Sequence, residues 1–138
     1  MPTSADYLLD TSAALALLDE DHPLSTPVRA LCHGLTLGLS GHARTETYSV
    51  LTRLPGSDRL SPQSAAHAIG REFPLSVALS PAASLAAVET LAAAGIAGGA
   101  VYDGLVGLAA REAGIPLLSC DRRALSTYAV LGVEVRIV

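Results

Sequence analysis

The chain contains no lysine and no tryptophan, one phenylalanine, four tyrosines and two cysteines, and only 16% of its 138 residues are charged. Each shortage excludes something. With all nine basic residues being arginine, chemistry that needs a catalytic or phosphate-binding lysine is ruled out, P-loop NTPases among it. The two cysteines, Cys32 and Cys120, have neither metal-ligand nor redox spacing, which fits a reduced, cytoplasmic setting. No hydrophobic run is long enough for a membrane span. The alanine-rich stretch from Phe73 to Tyr102 is interrupted by Pro74, Pro81, Glu89, Gly95, Gly98 and Gly99, whereas a bilayer needs about 20 continuous apolar residues. Met1–Asp6 places no basic residue ahead of Tyr7-Leu8-Leu9, so no signal peptide is expected. A formal net charge of −4 argues against broad electrostatic binding of nucleic acid. With so few aromatics, base stacking cannot be the main mode of holding it. Any polyanion would have to be handled by metal ions and local arginines.

What is present is apolar. Half of the residues are hydrophobic and the mean hydropathy is +0.42. That is enough burial to offset ordering entropy, and residues 1–138 are expected to form a single domain. Short buried-strand patterns alternate with helical ones: strands at Tyr7–Leu9, Leu35–Ser40, Leu75–Leu79, Pro116–Ser119 and Glu134–Val138. Between them lie helical patterns at Ala13–Leu18, from Pro23/Pro27 to about His33, Ala43–Leu54, from Ser61-Pro62 to before Pro74, from Pro81 to about Ala94, Ala100–Ala113 and Arg122–Leu131. Alternation of this kind implies a mainly parallel sheet covered on both faces.

In such a sheet ligands bind beyond the carboxyl ends of the strands. Asp10 directly follows the first strand and Asp121 follows the fourth by two residues. Asp103 is the only charge between Ile96 and Ala110, and Glu46 lies at the edge of the apolar stripe Ala43, Val50, Leu51 and Leu54. An isolated carboxylate in an apolar element is costly without a partner. Four of them, with no lysine available, suggest a shared cation, and oxygen ligands suit Mg²⁺ or Mn²⁺. Each acid has a plainer alternative. Asp10 and Asp121 could serve as helix caps, Asp103 could pair with Arg111 or Arg44, and Glu46 could be a solvated helix residue beside Arg44 and Arg53. His22, His33, His42 and His67 show no ligand spacing and read as surface or cap residues. Cys120 reads as a small buried strand-end residue, and Tyr48 and Tyr102, each close to a site acid, as core packing.

Four segments in register resemble the PIN-domain ribonucleases, specifically the VapC-type toxins: Tyr7-Leu8-Leu9-Asp10-Thr11-Ser12-Ala13; Ala43-Arg44-Thr45-Glu46-Thr47-Tyr48; Val101-Tyr102-Asp103-Gly104-Leu105-Val106-Gly107-Leu108-Ala109; and Leu118-Ser119-Cys120-Asp121-Arg122-Arg123. The resemblance implies a three-layer α/β/α sandwich around a five-stranded parallel sheet. It also implies an acidic pocket holding Mg²⁺ or Mn²⁺ in which Asp10, Glu46, Asp103 and Asp121 are catalytic and Asp10, Asp103 and Asp121 bind the metal. Ser12 matches a position whose hydroxyl lines that pocket. The implied activity is hydrolysis of RNA phosphodiesters by metal-activated water. The implied partners are RNA, a cognate antitoxin and a second copy of the chain. Many members carry a further acid just after the fourth block; here Arg122-Arg123 stand there, candidates for contacting phosphate. The Leu15–Leu18 region and the Ser61–Phe73 helix are candidate contact surfaces. A processing nuclease without a toxin role and an inactive binding module of the same fold are the alternatives. A receiver domain would need a lysine, and a haloacid-dehalogenase-type phosphatase a second Asp where Ser12 stands.

Overall fold

The computed structural model describes residues 3–138. Met1 and Pro2, the first residues of the stretch expected to lack a leader, lie outside the described residues. Four strands, β1 (Tyr7–Leu9), β2 (Leu37–Leu39), β3 (Leu117–Ser119) and β4 (Val135–Ile137), form one parallel sheet in the order β2-β1-β3-β4. The connections are helical, as parallel pairing requires: α1 (Thr11–Leu18) and α2 (Ser25–Cys32) join β1 to β2. Then come α3 (Ala43–Leu51), α4 (Pro62–Glu72), α5 (Pro81–Leu85), α6 (Ala87–Ala93) and α7 (Ala100–Ala113), which lead to β3. A 3₁₀ turn at Arg122–Ala124 and α8 (Leu125–Val130) lead to β4.

Side chains of successive strand residues point to opposite faces, and the core divides accordingly. Leu9, Leu118, Leu37 and Leu39 pack with Ala13, Val28 and Phe73 on one side. Leu8 and Leu117 pack with Val106, Ala110 and Tyr128 on the other. Both faces of the sheet are therefore covered, as the continuous apolar strands imply. No described helix is long and apolar enough to cross a membrane.

The sheet has four strands where five were expected. The Leu75–Leu79 segment does run beside β2, donating from Leu75 N–H to Leu37 O (3.2 Å) and from Val77 N–H to Leu39 O (3.0 Å). It contributes a single bridge, Ser40 to Val77. Two local features break the ladder. The Leu39 N–H is taken by the Ser76 hydroxyl at 2.9 Å in place of a backbone carbonyl. The Leu75 carbonyl also lies over Gly38, so close that a Cβ there would overlap it.

The expected helix from Pro81 is two helices meeting at Ala86, and α3 ends at Leu51, before Leu54. The α4 surface offered as a contact face turns Ala65 and Ile69 into the core, with Phe73 buried at its end.

Candidate active site

Connections leave β1 in one direction toward β2, while β3 lies on its other side. The crevice at the carboxyl ends of β1 and β3 is therefore the point where strand order reverses, the expected ligand site of an open parallel sheet. Asp10 directly follows β1, Asp121 follows β3 by two residues, Asp103 sits in the first turn of α7 and Glu46 in the first turn of α3. All four line one cavity of about 210 Å³, together with Ser12, Leu15 and Val50.

Asp10 is 4% exposed and is held by three donors. Its Oδ1 accepts from the Ser12 hydroxyl at 2.6 Å and from the Ala13 N–H at 3.0 Å, while Oδ2 accepts from the Tyr128 hydroxyl at 2.9 Å. The Ala13 bond makes Asp10 the N-cap of α1, the plainer role that the sequence offered for it. One residue thus both caps α1 and lines the pocket. Burial still raises the Asp10 carboxyl above its ordinary pKa, against the lowering effect of these bonds. Ser12 connects the two strand ends, since its oxygen also accepts from Cys120 N–H at 2.9 Å. Asp121 caps the following 3₁₀ turn through Arg123 N–H at 3.0 Å, and its own N–H donates to Ser119 Oγ at 3.1 Å.

Asp103 carries the strongest sign of what the pocket lacks. Burial, then the charges of Asp10, Asp121 and Glu46, push its carboxyl up, and Arg123 only partly offsets them. The arginines considered as its partners bond elsewhere: Arg111 to Leu131 O at 3.0 Å and Arg44 to Ser76 Oγ at 3.2 Å. Arg123 pairs with Asp121 at 3.2 Å, its side chain 93% exposed, and Arg122 is exposed beside it. Glu46 Oε2 lies 3.6 Å from His42 Nε2.

Among the described residues no group of three or more His, Cys, Asp or Glu side chains could hold an ion by itself. An oxygen-only donor set around water-sized space nonetheless fits a hard cation that retains several waters, as Mg²⁺ does. Cys120 is half-buried, and burial lifts its thiol to about 11, which suits an inert strand-end residue.

Two site residues escaped sequence reading, Tyr128 and Ser119. Tyr128 is 0% exposed, and a fully buried tyrosine hydroxyl calls for a polar partner. That was the available signal, on a helix whose neighbours are otherwise small or apolar. Tyr128 lies against α7 at Gly107, where a Cβ would be 3.1 Å from the Tyr128 ring. Tyr48 and Tyr102, expected in the core, are exposed. Each sits one or two residues from a pocket acid on its helix, and the apolar stripe of that helix faces away from it.

Comparison with known proteins settles the family. Residues 7–131 match the PIN domain. The chain belongs to the PIN-domain family. This PIN domain is 43% identical over 127 residues to Ribonuclease VapC27 of Mycobacterium tuberculosis, covering 92% of the chain and 93% of that protein. It is 43% identical over 134 residues to Ribonuclease VapC40 of the same species, covering 94% and 96%. Among solved structures, the PIN domain superposes on a chain of FitAB bound to IR36 DNA fragment with a TM-score of 0.71 at 16% identity, covering 95% of this chain and 94% of that one. It superposes on one of VapBC2 from Rickettsia felis bound to a promoter DNA fragment with a TM-score of 0.67 at 13% identity, covering 96% and 98%. At those identities the structures speak for the fold.

Proposed function

We propose that this chain is a divalent-metal-dependent endoribonuclease of the VapC type, the toxin of a toxin–antitoxin pair. The observation that carries the proposal is the gathering of four carboxylates, from four separate segments, around one cavity at the switch point of the sheet. The ribonuclease names of relatives 43% identical over nearly the whole chain support it.

Asp10, Asp103 and Asp121 would hold the cation, and bound there Mg²⁺ or Mn²⁺ would lower the pKa of a water and offset the charge on the phosphoryl group. The remaining steps belong to the protein. Ser12, Ala13 and Tyr128 fix both oxygens of Asp10, so its orientation is set before the substrate arrives. Glu46, outside the ligand set, takes the proton from the attacking water. Arg122 and Arg123, exposed at the edge of the pocket, contact the phosphates of the strand. A cognate antitoxin holds the toxin inactive, and the active unit is a homodimer, as the VapC resemblance implies.

The test is a Mn²⁺ titration by calorimetry beside an RNA-cleavage assay, run on the wild type and on the Asp10→Asn/Asp103→Asn double variant. Wild-type binding and cleavage that both vanish in a folded double variant are expected. Cleavage that survives in the double variant, or in excess chelator, overturns the proposal.

A further inference from the structure

Of the chain's five Phe and Tyr residues, Tyr128 and Phe73 are fully buried, Tyr7 is partly buried against the core, and Tyr48 is 36% exposed with no stacking partner among the described residues. Tyr102 is different. It is 53% exposed and immediately precedes Asp103. Its ring is stacked on His42, with centroids 5.1 Å apart and planes at 28°. His42 stands at the start of α3 and faces Glu46 at 3.6 Å. The pair is thus tied at both ends to carboxylates of the pocket, one through the chain and one through space. A ring of this size left half in solvent forgoes burial that the fold could otherwise use, and His42 restricts its orientation from one side only.

The surroundings specify what such a ring could take. The pocket next to it carries four carboxylates, and the chain is acidic overall, so a polyanion approaching the site gains little from the general field. A flat, uncharged, pre-oriented π-face beside the acids offers what they cannot, an attachment for a nucleobase. We infer that the His42–Tyr102 stack is a base-stacking platform at the mouth of the acidic pocket, and that it seats one unpaired base of a single-stranded RNA next to the phosphodiester to be cut. The inference rests on the nuclease reading above and adds a binding residue, Tyr102, that selects unpaired over base-paired substrate. Arg122 and Arg123 are candidates for the phosphates, and the ring takes the base.

Two measurements with Mg²⁺ present test it. The first is steady-state cleavage of a short single-stranded oligoribonucleotide carrying an abasic residue at each position in turn. The second is the emission of 2-aminopurine, which falls on stacking, placed at the position the abasic scan marks. Tyr102→Ala is expected to raise KM on the intact oligonucleotide by roughly 5- to 100-fold, the usual range for one base–aromatic contact, with kcat little changed. It should have no further effect on the oligonucleotide whose abasic residue removes the stacked base. Tyr102→Phe should behave as wild type and quench 2-aminopurine as wild type does.

A wild type that cuts RNA while Tyr102→Ala cuts it with the same KM overturns the platform and leaves the nuclease reading standing. A wild type that neither binds nor cuts RNA overturns both. If Tyr102→Ala leaves KM unchanged but shifts the oligomeric state in sedimentation, the ring belongs to a contact between copies of the chain and the platform is likewise overturned.

Discussion

Two acids on one helix meet opposite fates. Glu112, in the last turn of α7, receives the Ser80 N–H at 2.7 Å and the Ser80 hydroxyl at 2.8 Å, and these donors lower its pKa. Asp103, nine residues earlier, is surrounded by burial and three like charges that raise its own. The helix dipole favours a carboxylate in the first turn over one in the last, the reverse of these shifts, so the difference lies in what the fold brings opposite each carboxylate. At the amino end of the sheet region the fold supplies donors and completes a helix cap. At the carboxyl end it collects further acids and leaves the charge to be balanced from outside. A carboxylate that its own protein does not satisfy marks a site more reliably than the presence of the acid itself.

That contrast can be broken by substitution, beginning with the largest effect. Asp10→Ala removes the acceptor of three donors at once, two of them buried. Cap loss and an orphaned tyrosine hydroxyl together should cost about 2–4 kcal/mol, read as a lower urea midpoint. Asp10→Asn, which can still accept from Ser12 and Ala13, should cost far less. Tyr128→Phe leaves Asp10 Oδ2 without its donor and should destabilise by about 1–2 kcal/mol.

Asp103→Asn should move stability the other way. Its folded pKa lies above the ordinary value of 3.8, so in the metal-free protein this group's contribution to stability is fully present below that value and is lost as pH rises through the raised one. The variant removes that loss. At neutral pH its thermal midpoint should rise by roughly 2–4 °C, allowing for solvent screening of a half-exposed group, and its pH slope should flatten. Saturating Mn²⁺ should reverse the order of the two proteins. Glu112→Ala is the smallest of the set and opposite in sign to Asp103→Asn. The stability its carboxylate contributes is present above its ordinary value of 4.5 and lost as pH falls through the lowered one. The variant should therefore differ from wild type at neutral pH and converge with it in acid, as denaturation followed across pH will show.

The parts of this molecule legible in the sequence are those where one residue type does one job. Alternating strand and helix patterns and the Pro62 and Pro81 helix starts agree with the structure, because local sterics decide them. The four acids stood out as charges inside apolar elements, and the fold gathers them in one cavity. What was not legible depends on distant contacts. The segment at Leu75 has a strand's composition, but the Ser76 hydroxyl and the close approach to Gly38 deny it a regular ladder. Tyr128 joins the site from a position 118 residues away from Asp10, a pairing that periodicity cannot reveal. Tyr102, beside a pocket acid, reads as core packing in the sequence, and only the fold shows its ring turned outward.

The Ala13 amide bond to Asp10 makes the opening of α1 and the state of the pocket a single event. Whenever the first turn of α1 frays, Asp10 keeps only its Tyr128 donor, and whenever Asp10 turns away, the turn loses its cap. Hydrogen exchange at Ala13 is therefore a built-in gauge of pocket integrity: a slow amide would report an assembled site and a fast one a disassembled site, before any substrate is added.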